Sequence, residues 1–237
     1  MGGKESSLDY FVGGVPAGII FKMAHDRVCK LVSETPETEF GSNEVAEICF
    51  IALISYVEAF FKDQFASMVN LCPQLIENLC KAKCVIAIDA SDLLVFRERP
   101  LQSLGFILSE NYDFGTAQKI NGLYHALLLI DPFSSDEKCE YDRLMNDRNL
   151  LVHHGGIFTL KYSKGSIIAE DDKGMPHWDS LKVSRASYLR GAQFLTSIVK
   201  KTVSASHKAL TKFIQESGIA ESKEHNEAVK LCGGYDL

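Results

Sequence analysis

Along most of the chain, apolar positions recur at three- and four-residue spacing, the period of helices that bury one face. Between Ala17 and Ser33, the positions Ile19, Ile20, Met23, Val28, Leu31 and Val32 predict a short helix entered at Pro16 and closed before Pro36. A longer helix is predicted over 43–70, with Ile51, Ile54, Phe61, Phe65 and Met68 in its stripe. From Pro73 to Ile88 the pattern suits a helix or a short extended segment. Leu101 to Leu108 predicts a short apolar element, and Thr116 to Ile130 a helix with Ile120, Leu123, Tyr124, Leu127 and Ile130 inward, stopped by Asp131-Pro132. The next helix, at 135–154, lies between a capping-box pattern, Ser134-x-x-Glu137, and Gly155-Gly156. The period then shortens to two: Phe158, Leu160 and Tyr162 alternate with Thr159 and Lys161, and Lys164-Gly165 turns into Ile167-Ile168, which predicts a small β-hairpin. A last long helix starts near Ser184, with Tyr188, Ala192, Leu195, Val199, Leu210 and Phe213 inward. Past Ser217 the chain is charged and sparse in large hydrophobes, which predicts a frayed tail. The expected fold is all-α. It comprises an N-terminal extension (1–42) with a short helix, a helical domain (43–217) with the hairpin inserted after the 135–154 helix, and a C-terminal tail (218–237).

Two of these stripes carry a charge. At about 100° per residue, Tyr141, Leu144, Met145, Leu151 and Val152 share one face of the 135–154 helix, and Arg148 falls in its middle. Asp142, Asn146, Asn149 and His153 form a polar stripe beside it. A guanidinium keeps its proton, so its burial costs several kcal/mol unless an anion meets it. Glu58 interrupts the stripe of the 43–70 helix at its centre, and the simplest account packs the two helices face to face with Glu58 holding Arg148. The guanidinium's other donors would then face whatever the His153 stripe binds. A purely structural ion pair is the alternative.

The pattern Arg148-Asn149-x-x-x-His153 followed by Gly-Gly, preceded by the Glu-bearing aromatic helix Val57-Glu58-Ala59-Phe60-Phe61-Lys62, resembles the HEPN superfamily. The six-residue motif is short; the order of parts makes the likeness more specific, and it covers roughly 43–215. The resemblance implies an all-α bundle, commonly a homodimer, in which the motif helices of two protomers form one cleft. It further implies a metal-independent ribonuclease or, in members without catalysis, a binding or scaffold module for RNA, nucleotide or protein. Relatives inactivated by nucleotidylation carry a tyrosine two residues after the histidine. Gly155 stands there, so that regulation is not expected.

Composition changes this picture in a few respects. With 237 residues and 46% hydrophobic content the chain can bury a full core. Its 25 basic and 31 acidic residues leave a net charge of −6, which argues against broad phosphate neutralisation, so any RNA contact is local. Arg97 and Arg99 are candidates for such contacts. Cysteines 29, 49, 72, 80, 84, 139 and 232 show no zinc spacing and read as buried thiols of a reducing compartment, with Cys80 and Cys84 as small core hydrophobes. No metal or cofactor is expected. The longest apolar runs are too short for a membrane span, so a cytoplasmic protein without membrane contact is expected. The start Met1-Gly2-Gly3-Lys4-Glu5-Ser6 also fits a weak myristoylation pattern.

RNA cleavage needs no metal when the 2′-hydroxyl of the substrate attacks: a base takes its proton, an acid protonates the leaving 5′-oxygen, and cations stabilise the phosphate. His153, in the last turn of its helix, suits both proton transfers, because the partial negative helix end favours imidazolium. A second His153 from a dimer partner supplies the other proton carrier. Arg148 would bind the phosphate and Asn149 would orient the imidazole or substrate. Asn146 and His154 are supporting candidates, and a protein regulator is compatible with the pattern.

Overall fold

Helix boundaries follow local chemistry. In a computed structural model, which describes residues 6–37, 43–95, 103–160, 162, 180–219 and 222–235, the helices are α1 (Ala17–Glu34), α2 (Glu44–Leu71), α3 (Ile76–Lys81), α4 (Ala90–Val95), α5 (Leu104–Glu110), α6 (Ala117–Leu128), α7 (Ser135–His154), α8 (Arg185–Ser217) and α9 (Lys223–Cys232). Short 3-10 turns occupy Val12–Gly14 and Pro73–Leu75. Side-chain caps start several of the helices: Asn43 accepts from the Ala46 N–H at 2.9 Å, Asp89 from Ser91 at 2.9 Å, Thr116 from Lys119 at 3.3 Å, Ser184 from Ser187 at 3.1 Å and Ser222 from His225 at 3.0 Å. The protein is all-α. Among the described residues the β structure is one isolated bridge, Ile157 to Ser180.

Two compact units interleave along the chain. The first comprises Met1–Met23, Glu58–Ser134 and Ser197–Leu237; the second comprises Ala24–Val57 and Ser135–Thr196. Helices α1, α2 and α8 each supply a segment to either unit.

The first unit has an aromatic centre. Phe61 meets Tyr124 edge-on at 5.9 Å and Phe133 at 5.4 Å, while Phe65 contacts Tyr112 and Phe114 edge-on at 5.6 and 5.7 Å. Such tilted and edge-on pairs add to the area they bury. Tyr124 is fully buried, and its hydroxyl donates to the Phe61 carbonyl at 2.8 Å. Asn121 closes the turn after α6 by pairing both backbone groups of Phe133, at 2.7 and 2.9 Å. Asn70 joins three segments: its amide donates to the Tyr10 carbonyl at 3.3 Å and its oxygen accepts from the Gly105 N–H at 2.7 Å.

Both chain ends take part in the first unit. Ahead of α1, Tyr10 and Phe11 are buried. Instead of a frayed tail, α9 buries Ala228, Val229 and Cys232; His225 Nε2 donates to the Leu71 carbonyl at 2.7 Å, and Gln64 donates to the Cys232 carbonyl at 3.3 Å. Small residues suffice here because the backbone approaches closely: a Cβ built on Gly18 would lie 2.6 Å from the Gly234 carbonyl oxygen. A search for large hydrophobes overlooks a contact of that kind.

The second unit is built from α7 and the adjoining segments of α1, α2 and α8. Gly191 lets α8 approach Leu144 of α7 and Phe50 of α2, with a built Cβ at ordinary contact distance from both. The expected hairpin is not seen in the described part of 158–168. Leu160 and Tyr162 are helical, and Thr159 Oγ1 accepts from the Tyr162 N–H at 3.2 Å. Phe158 and Tyr162, four residues apart, stack at 5.3 Å with their planes within 5°. Apolar residues at positions 158, 160 and 162 fit a strand, but the i,i+4 pair fits a helical turn equally well, and the ring stack together with the Thr159 cap favours the turn. Lys164, Gly165, Ile167 and Ile168 lie outside the described residues.

Candidate functional site

Helix α7 ends where Gly155 and Gly156, at φ +58° and +79°, reverse the chain, and the Gly156 N–H donates to the Leu150 carbonyl at 3.2 Å. The Leu181 N–H then donates to the Gly156 carbonyl at 2.9 Å, beside the Ile157–Ser180 bridge, so the helix end is tied to the segment entering α8. Glycine is required at both positions because side chains rarely adopt such φ values.

The buried face of α7 is rolled relative to the sequence expectation. Tyr141, Leu144, Met145 and Leu151 are buried as expected, but Val152 is 46% exposed while Leu150 and Asp147 are buried. Arg148 therefore sits half-buried at the rim of the face rather than at its centre. Its Nη1 donates to the Asn149 side-chain oxygen at 2.9 Å. Asn149 is half-buried, whereas Asn146, His153 and His154 are exposed. The polar stripe thus alternates half-buried Asp142 and Asn149 with exposed Asn146 and His153. Glu58 belongs to the first unit and is half-buried. Arg97 and Arg99 lie outside the described residues, as does Gly2.

Asp147, outside both predicted stripes, is a buried acid of α7. At 6% exposure, its Oδ1 accepts from the Tyr162 hydroxyl at 2.6 Å and its Oδ2 from Arg143 Nη1 at 3.1 Å. Burial pushes the Asp147 carboxyl above its usual range, against the pull of Tyr162 and Arg143. Arg143 also grips Glu140, at 2.7 and 3.1 Å, and this bond holds the Glu140 carboxyl low. Burial, reinforced by Asp147, raises the Tyr162 phenol, which keeps it a donor. The sequence signal was present: Asp147 lies on the Leu144–Leu151 side of the helix, four residues from Arg143.

The arrangement can therefore offer a guanidinium, an amide and an imidazole to a ligand from one helix end, with Asp147 committed to structure one residue earlier. Two hollows of about 620 and 640 Å³ lie in the first unit, along Asp113, Lys119, His125 and Asp131 and along Pro73–Lys81 respectively; none of the motif residues lines either. No group of three or more metal-ligating side chains occurs among the described residues. No helix among them is long and apolar enough to cross a membrane. The cysteines are not uniformly buried: Cys49, Cys72 and Cys232 are, Cys29 and Cys84 are half-buried, and Cys80 and Cys139 are exposed. Cys80 sits near the end of the six-residue α3, which is too short to bury two turns of one face.

Compared with known proteins, the chain matches no family model, no curated protein and no solved structure.

Proposed function

We propose that the chain is a metal-independent endoribonuclease of HEPN type, with an HEPN-like bundle, acting at a site composed by two copies. The observation that carries the reading is the grouping at the end of α7: Arg148 held by Asn149 at 2.9 Å, with His153 exposed one turn further on. Arg148 binds the scissile phosphate and offsets charge on the pentacoordinate phosphorus. His153 of one copy takes the 2′-hydroxyl proton while His153 of the second protonates the 5′-oxygen as the P–O bond breaks, leaving a 2′,3′-cyclic phosphate and a 5′-hydroxyl. A two-fold axis supplies the second histidine because an isologous contact brings the same residue from each copy to one place. Asn146 and His154 stand at the margin of this site. The exposed apolar side chains Val152, Ile157 and Leu160, at 46, 54 and 57% exposure, flank the histidines in sequence and favour burial in such a contact.

A second reading, a non-catalytic binding or scaffold module for RNA, nucleotide or protein, is favoured by the net charge of −6. Incubation with structured and unstructured RNA in EDTA separates the two. Cyclic-phosphate products, reduced about 10²- to 10⁴-fold by His153→Ala, support the enzyme. Strict Mg²⁺ dependence with 3′-hydroxyl products excludes this mechanism. Intact RNA bound without cleavage moves the assignment to the module, and a monomer by light scattering at micromolar concentration removes the shared site.

A further inference from the structure

One turn of α1 in the second unit carries a nucleophile, a base and an acid in line. His25 Nε2 lies 3.4 Å from Cys29 Sγ, and His25 Nδ1 lies 3.1 Å from Asp26 Oδ1. From α8, the Tyr188 hydroxyl approaches the same sulfur at 3.6 Å. Tyr188 is fully buried, which raises its phenol and keeps it the donor. With Asp26 accepting from Nδ1–H, an imidazolium at His25 is favoured, and in that state the sulfur accepts from both Nε2–H and the Tyr188 hydroxyl. Burial opposes the thiolate, but the bonds from His25 and Tyr188 outweigh it and hold the Cys29 thiol below its ordinary range; the bond to Cys29 holds His25 above its own. A nucleophile beside a base that a third group orients is the signature of an activated side chain.

We propose that Cys29 is a reactive thiolate, paired with the His25 imidazolium, that is modified by hydroperoxides. The sulfur is half-buried and outside the two hollows, which suits a co-reactant as small as hydrogen peroxide. In the step, a sulfur lone pair attacks one peroxide oxygen. The S–O bond forms as the O–O bond breaks, the sulfur loses two electrons to become a sulfenic acid, and the departing hydroxide takes the His25 proton as water. Cys29 stands apart from the α7 residues of the proposed nuclease, so the two readings stand or fall separately.

The test uses the full chain in its native state with limiting iodoacetamide, reaction being mapped by peptide mass. Exposed Cys80 and Cys139 serve as internal references. Cys29 is expected to alkylate about tenfold faster than either near pH 7, despite its lower exposure. The titratable groups facing the sulfur are His25 and Asp26 on α1, Tyr188 on α8 and Cys49 on α2. His25→Asn should lower the Cys29 rate about tenfold and leave Cys139 unchanged. Hydrogen peroxide with a dimedone trap should label Cys29 first. A Cys29 rate at or below that of Cys139 in the wild type, where folding is not in question, overturns the proposal, as does dimedone label confined to Cys80 and Cys139.

Discussion

The Tyr162 hydroxyl and the Asp147 carboxylate meet at 2.6 Å, joining the segment after α7 back to the helix two turns before its end. A hydrogen bond to a charged, buried acceptor contributes more than a neutral one. Tyr162→Phe should therefore cost about 1.5–3 kcal/mol. Asp147→Leu removes the acceptor of the same bond, so the double variant should cost less than the sum of the two single changes. Urea unfolding of the four proteins measures this coupling, and strict additivity would refute the pairing.

Gly105 and Gly122 make a matched pair. A Cβ on Gly105 would lie 2.0 Å from the Ala66 carbonyl oxygen, backbone that cannot yield cheaply, whereas a Cβ on Gly122 meets nothing within 4 Å. Gly105→Ala is expected to destabilise by about 2–3 kcal/mol through overpacking and loss of the Asn70 contact. Gly122→Ala, inside helix α6, is expected to stabilise by about 0.5–1 kcal/mol. Thermal melts of the two variants should shift in opposite directions.

Burial raises the Asp63 carboxyl to about 6, against the pull of Lys62 and with a further push from Glu110. Its folded value lies above its unfolded one, so its contribution is fully present below the unfolded value of about 3.9 and is lost as pH rises through about 6. Discounted for partial solvent exposure, the loss is about 1 kcal/mol. Asp63→Asn should accordingly raise stability near pH 8 by about that amount and little near pH 4. Denaturation curves at the two pH values test the difference.

Truncation after Ser217 should be costly. It removes the burial of Ala228, Val229, Cys232 and Tyr235 and leaves the Leu71 carbonyl without His225. At about 1–2 kcal/mol per large side chain, the loss is about 3–5 kcal/mol. A melting temperature unchanged by the truncation would show that α9 contributes nothing to the first unit.

Peptide-bond geometry and side-chain period, both local, determined much of the fold from sequence alone. Helices α1, α2, α6, α7 and α8 lie within a few residues of where their stripes and breakers put them, because Pro16, Asn43, Thr116 and Gly155 act on their own neighbours. The grouping of Arg148, Asn149 and His153 at one helix end was legible for the same reason. Tertiary contact decided the rest. A stripe locates the apolar side of a helix only to within a residue or two, and the packing of α7 chose Leu150 and Asp147 over Val152, which moved Arg148 to the rim. Phe158 and Tyr162 satisfied two periods at once, and a ring stack with a threonine cap settled the ambiguity in favour of a helical turn. The meeting of Cys29 with Tyr188 joins residues 159 positions apart, a proximity that no local pattern encodes because it exists only when α1 and α8 are packed together.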